Sequence, residues 1–227
     1  MSTNVLANIN LVIPYNKVTA IVGTSGGGKS TFVKLLMGSY MPTSGEILIN
    51  DKINLRKINL KEWRNTFGVV MQEGFLFNDS FLGNIAVGED LPNLDKVINA
   101  AKIANIHSHI MTTPREYRTK IGNEGVPIST GEKQRVLIAR AIYKNPDILF
   151  LDEATSSLDA NNEKDIMEKL NDFYSNKTVV VIAHRLSTIK NADNIVVLDK
   201  GEIVEQGSHN ELIKQGGYYF RLVDKQL

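Results

Sequence analysis

The chain has 227 residues, 42% of them hydrophobic, and 26 Lys and Arg against 25 Asp and Glu give a formal net charge of +1. That is enough material for one large α/β domain, or for a core with a subdomain, and it excludes a tail or a linker. It also excludes the broad basic field that drives nucleic-acid binding, and the absence of cysteine removes disulfides, thiolate zinc sites and redox pairs.

The opening "MSTNVLANINLVIP" lacks the basic start, apolar stretch and small-residue cleavage site of a signal peptide. Within it "NVLANINLVI" alternates and predicts a strand. After a turn at 14–17, "VTAIVG" predicts a buried strand that runs directly into glycines. A helix is expected over about 29–37, stopped by Gly38. Strands follow at "GEILIND" and "FGVVMQ", with a short helix at "LKEWRN" between them. From 78 to 145 the pattern becomes amphipathic helix, as in "NLDKVINAAKIA", and reads as an inserted helical subdomain. His107 and His109 lie two apart there, so they point to different faces and read as solvated helix surface rather than a metal pair.

Strand and helix then alternate through "DILFLD", "NEKDIMEKLNDFY", "TVVVIA", "LSTIKNA", "NIVVLD" and "GEIVEQG". Such alternation predicts an α/β fold whose mostly parallel sheet is flanked by helices, with an antiparallel N-terminal portion and ligands at the carboxyl ends of the strands. The closing "SHNELIKQGGYYFRLVDKQL" reads as two surface helices with an aromatic face. The longest apolar runs fall well short of the roughly 20 residues a membrane-spanning helix needs, so this segment is expected to be soluble.

Gly23-x4-Gly28-Lys29-Ser30 follows a strand and precedes a helix, which is the spacing and the context of a P-loop. In such a loop the backbone N–H groups of Gly23, Thr24, Ser25, Gly26, Gly27 and Gly28 can curl around a β-phosphate where a Cβ would collide. Lys29 supplies a charge for the β and γ oxygens, Ser30 a hydroxyl for Mg²⁺, and Thr31 can reach the α-phosphate. A nucleoside triphosphate with Mg²⁺ is therefore the expected ligand, on a P-loop NTPase core formed by 1–77 and 146–227 with the helical subdomain at 78–145.

"ILFLDEA" buries a strand and then presents Asp152 and Glu153 at its carboxyl end. There Asp152 can hold the Mg²⁺ through water, and Glu153 can orient or deprotonate an attacking water. Gln72, at the end of "FGVVMQ", can contact both Mg²⁺ and water. His184, at the end of "TVVVIA", can reach a γ-phosphate oxygen. "SSLD" at 156–159 follows in a tight turn. Finally "ISTGEKQR" at 128–135 places Ser129 and Gly131 at the head of a long helix, a second place where free N–H groups and the positive end of a dipole can hold an anion.

Together these segments make the chain resemble, over nearly its whole length, the nucleotide-binding domain of ATP-binding cassette (ABC) transporters. "GTSGGGKST" looks like Walker A, Gln72 like the Q-loop, "ILFLDE" like Walker B with its catalytic glutamate, "SSLD" like the D-loop and His184 like the switch histidine. "ISTGEKQR" stands in the place of the LSGGQ signature. The resemblance implies that two such domains pair head to tail around ATP, with Ser129, Thr130, Gly131, Glu132 and Asp159 of one acting in trans on nucleotide bound to the other. It also implies catalytic roles for Glu153, His184, Gln72 and Lys29, and Mg²⁺ ligation by Ser30, Gln72 and Asp152. "QEGFLFNDSFLGNIAVG", "TKIGNEG" and the ending resemble exporters in which this domain is fused behind a transmembrane domain, on the cytoplasmic face of the membrane.

Three departures from the pattern carry expectations. Lys120, Asn123 and Glu124 alter the loop that precedes the signature. Thr130 and Glu132 replace a glycine and the glutamine of LSGGQ, and Glu132 brings negative charge toward a polyphosphate, so closure is expected to be looser unless Lys133 or Arg135 offsets it. The aromatic residue that usually stacks on adenine has no counterpart before Gly23 except Tyr15, in the turn ahead of the P-loop strand, so the sequence is expected to be a fragment lacking that platform. The rival readings are a soluble ABC-type ATPase acting on nucleic acid or ribosomes and a P-loop kinase. The first lacks a coiled-coil insertion and basic surfaces, and the second leaves "ISTGEKQR" and "SSLD" without a role.

Overall fold

The computed structural model describes residues 4–152, 160–183 and 185–224. In chain order its elements are β1 (Val18–Gly23), α1 (Lys29–Leu36), β2 (Leu48–Ile49), β3 (Ile53–Asn54), α2 (Leu60–Thr66), β4 (Phe67–Val70), β5 (Asp79–Ser80), α3 (Phe81–Ile85), α4 (Leu94–Ile103), α5 (His107–Met111), β6 (Lys120–Ile121), α6 (Thr130–Tyr143), β7 (Ile148–Asp152), α7 (Ala160–Tyr174), β8 (Thr178–Ile182), α8 (Leu186–Lys190), β9 (Asn194–Asp199), β10 (Glu202–Gly207), α9 (His209–Gln215) and α10 (Tyr218–Asp224). They fall into two units, Met1–Phe67 with Asn176–Leu227, and Gly68–Ser175. No helix among the described residues is long and apolar enough to cross a membrane.

The first unit is built on strands in the order β10-β9-β1-β8. β1 runs parallel to both β8 and β9, pairing Ile21 with Ile182 and with Val196. Their Val and Ile runs are buried on both faces, as a parallel interior requires. β10 is antiparallel to β9 and alternates between exposed and half-buried residues, as befits an edge strand with one wet face. β2 and β3 form a short antiparallel ribbon. Asn50 and Asp51 turn it with φ of 52° and 57°, a conformation that Asn and Asp tolerate better than other side-chain-bearing residues. Trp63 of α2 is buried and donates its indole N–H to Leu36 O at 3.0 Å, which fastens α2 to the end of α1.

The expected strand at 4–13 does not form. Leu6 and Ile9 are half-buried beside exposed Val5, Asn8 and Val12, but Asn8 turns at φ 53° and, among the described residues, the segment makes one backbone bond to the sheet unit, Ala7 N–H to Gly201 O at 2.9 Å. Alternation without a pairing partner is not a strand.

In the second unit β7 neighbours β4, β5 pairs antiparallel with β6, and helices α3 to α7 make up most of the rest. α6 is its central helix, burying Val136, Leu137, Ile138, Ala139 and Ile142 and packing on α3 and α4. Asn84, fully buried on α3, accepts from Phe77 N–H and donates to the carbonyls of Phe77, Asp79 and Ser80. Arg140 of α6 donates to Asn84 O, Asn84 Oδ1 and Phe75 O and lies over the Phe77 ring. Burial lowers its pKa, and these charge-assisted bonds fix 75–84 to α6.

Candidate functional site

In the first unit, β1 delivers the chain into the glycine loop. Gly23 has φ 147° and pairs across from Leu198, where an added Cβ would lie 1.9 Å from Leu198 O. Only glycine fits that approach. Gly26 and Gly28, at φ 78° and 95°, turn the loop back toward α1, and Gly28 stands at the helix N-cap with no side-chain cap. The first helical bond is Phe32 N–H to Gly28 O at 2.8 Å, so the N–H groups ahead of Phe32 stay outside the helix's own bonding. Lys29 is 7% exposed, and its ammonium donates to Gly23 O at 3.0 Å and Thr24 O at 2.8 Å. The charge is thus held over the loop by the loop's own carbonyls. Ser30 is exposed beside it. Thr24 donates its hydroxyl to Asp199 Oδ1 at 3.2 Å, and Tyr218 of α10 donates to Asp199 Oδ2 at 3.0 Å, which raises the Tyr218 pKa.

In the second unit, Asp152 closes β7 and is 4% exposed. Gln72 lies in a turn two residues beyond β4, which ends at Val70 rather than at the glutamine. Glu153, Asp159 and the rest of "SSLD" lie outside the described residues, as does His184.

The signature segment has the sharpest geometry. Ser129 is the N-cap of α6 in a capping box: its Oγ accepts from Glu132 N–H at 3.2 Å, and its own N–H donates to Glu132 Oε2 at 2.7 Å. The Ser129 hydroxyl donates to the same Oε2 at 2.9 Å. Oε1 lies 2.9 Å from His109 Nδ1. Burial pushes the Glu132 carboxyl up, but the Ser129 bonds and the charges of His109 and Arg135 outweigh it, and the net pKa is below the ordinary value. Glu132 therefore turns back onto its own helix start rather than outward. The two histidines are likewise not plain surface: His107 Nδ1 is 2.7 Å from Tyr117 Oη, and His109 is held by Glu132. In the loop ahead, Lys120 pairs with Glu124 at 3.3 Å, so two of the departing residues meet each other.

Sequence reasoning missed the Thr24–Asp199–Tyr218 link, the Asn84–Arg140 hub and the Glu132–His109 pair. The capping box alone had a local signal, the Ser-x-x-Glu spacing from 129 to 132, which recurs from Ser208 to Glu211 at α9.

A glycine loop that ends a parallel strand, opens an uncapped helix and buries a lysine defines a P-loop nucleotide-binding domain. Residues 6–156 match the family model described as ABC transporter. The chain belongs to that family. It is 49% identical over 220 residues to the ATP-dependent lipid A-core flippase of Syntrophus aciditrophicus (strain SB), covering 97% of this chain and 36% of the relative. It is 47% identical to the Heavy metal tolerance protein of Schizosaccharomyces pombe (strain 972 / ATCC 24843), covering 96% of this chain and 26% of the relative. Among solved structures, a bacterial Atm1-family ABC exporter with ATP bound superposes with a TM-score of 0.92 at 42% identity, over 98% of this chain and 39% of the other. The chain spans roughly a quarter to two fifths of these proteins.

Proposed function

We propose that this chain is the ATP-binding and ATP-hydrolysing domain of a membrane exporter, and that it works by ATP-driven head-to-tail pairing with a second nucleotide-binding domain. The observation that carries the reading is the loop at 23–29, whose uncapped helix start and buried lysine suit a polyphosphate and little else. In the pair, the glycine-loop N–H groups and Lys29 of one domain grip the β and γ phosphates. Ser129, Thr130 and Gly131 of the other approach the γ-phosphate, and Asp159 joins them. Glu153 accepts a proton from the attacking water, His184 donates to the γ-phosphate, and Gln72 senses the occupied state. Positioning and charge carry most of the rate in phosphoryl transfer, so each such donor is worth on the order of 10²-fold or more.

The residues present fit a hard divalent cation. Ser30, Gln72 and Asp152 offer hydroxyl, amide and carboxylate oxygens, the donor types Mg²⁺ takes. When bound, Mg²⁺ neutralises developing charge on the phosphate oxygens.

Closure of the pair would move a transmembrane domain, carried in the same full-length polypeptide, between inward- and outward-open states. Similar identity to relatives named for lipid A and for heavy-metal tolerance supports the reading that cargo is selected outside this chain. The test is ATP turnover by the full-length protein. Lys29→Ala and Glu153→Gln should each abolish it, and Glu153→Gln should trap a nucleotide-bound pair; parental turnover in both would remove the reading.

A further inference from the structure

His109 lies on α5, twenty residues ahead of the signature helix, and none of the roles assigned above uses it. Its placement is nonetheless specific. The ring is fixed edge-on against Phe81 of α3, with centroids 6.2 Å apart and planes at 73°. Nδ1 is 2.9 Å from Glu132 Oε1 and, facing a carboxylate oxygen, carries the proton of that bond. Nε2 is buried with no hydrogen-bond partner among the described residues, so Glu132 is the one polar group that the ring engages. The other carboxylate oxygen, Oε2, takes both the N–H and the hydroxyl of Ser129.

The consequence lies at the start of α6. The capping box uses the N–H of Ser129 and of Glu132, and Lys133 N–H bonds Ser129 O. Thr130 and Gly131 are left with the first-turn N–H groups that have no intrahelical acceptor. A carboxylate three residues into this helix helps or harms an incoming phosphate according to where its charge is held. Swung outward, it repels the phosphate. Folded into the box, it caps the helix, but it also holds the single Ser129 hydroxyl proton. Drawing one of its oxygens toward a histidine fixes the inward rotamer and weakens the other oxygen's hold on that proton. Arg135, one turn on, adds to the same field.

We propose that His109 is a positioning residue for the signature segment: by holding Glu132 through Nδ1–H, it keeps that carboxylate inside the capping box and off the face on which Ser129, Thr130 and Gly131 meet the γ-phosphate of the partner domain. The pair compensates for the glutamate that stands where the family has glutamine. This rests on the proposed trans role of the signature, and the experiment separates the two.

The experiment uses the full-length protein with His109→Phe, which keeps the ring's packing but removes the donor, with Glu132→Gln, and with both. Without nucleotide, hydrogen–deuterium exchange of the peptide at 128–135 is expected to rise in His109→Phe, because the box loses its anchor. Unchanged exchange would overturn the anchoring whatever the protein hydrolyses. In steady-state ATPase assays, His109→Phe should raise KM for MgATP about fivefold with a smaller change in kcat. In the Glu132→Gln background the same substitution should cost less than about twofold, the non-additivity expected of groups in contact. Equal penalties in both backgrounds would make His109 a packing residue only and overturn the proposal, as would no penalty in either. If the parent shows no turnover that Lys29→Ala abolishes, the ATPase reading fails, while the exchange result still decides whether His109 anchors Glu132.

Discussion

The starts of α1 and α6 are two helix N-termini dressed in opposite ways. α1 begins at a glycine with positive φ and no side-chain cap, and a buried lysine stands at its first turn. α6 begins at a serine locked in a reciprocal capping box with a glutamate, which a histidine holds in turn. An uncapped start next to a fixed cation binds a highly charged group by itself. A capped start has spent part of its bonding capacity on its own side chains, so it suits a partner that arrives and leaves. Under the proposed function, the difference would let one chain carry two anion-facing helix ends without redundancy, one to grip the nucleotide and the other to close on a neighbour's.

The largest effect should come from the grip. Lys29→Ala removes the cation held on Gly23 and Thr24 and should lower ATP turnover by at least about 10²-fold, read by phosphate release from the full-length protein. Next comes the loop's shape. Gly23→Ala would drive a Cβ into Leu198 O, so a loss of roughly 3 kcal/mol or more in unfolding free energy is expected, measured by denaturant titration. A loop that accepts alanine without loss would mean that the β1 to β9 approach does not demand glycine.

A matched pair of cap deletions sharpens the comparison further. Ser129→Ala and Ser208→Ala each remove the serine of a capping box and should each cost about 1 kcal/mol of stability. Only Ser129→Ala should also depress ATP turnover, and equal turnover in the two variants would deny α6 any role beyond structure. The smallest effect is in acid. Glu132 has a lowered pKa in the folded chain, so its contribution is present above the unfolded carboxylate range and is lost as pH falls below that range through the depressed value. The stability difference between the parent and Glu132→Gln should therefore shrink between neutral pH and about pH 3, and a difference that stays constant with pH would contradict the assigned ionisation.

Most of the sheet was legible because its strands are continuous Val and Ile runs, a signal that needs no knowledge of neighbours. The stretch at 4–13 shows the limit of that logic: it alternates correctly, but a strand is a paired object, and the sequence does not say whether a partner lies alongside. The glycine loop was legible in full, since its spacing and its flanking elements are all local. Glu132 was not. Its type announces a negative charge, but where that charge points depends on Ser129 three residues away and on His109 twenty-three residues away, and only the first of these has a sequence spacing to betray it. Asn84 and Arg140 are similar, because their bonds join 75–84 to a helix some 60 residues later.

The central claim is that each chain owns half of a working site. Mixing two inactive full-length variants tests it most directly: Lys29→Ala, which lacks the grip but keeps its signature, and Ser129→Arg, which keeps the grip but blocks its signature. A mixed pair contains one site with an intact loop from one chain and an intact signature from the other, so ATP turnover should return on co-assembly though neither variant alone shows any. If the mixture stays as silent as its components, or if Ser129→Arg alone turns over ATP at the parental rate, the two helix starts do not form a shared site.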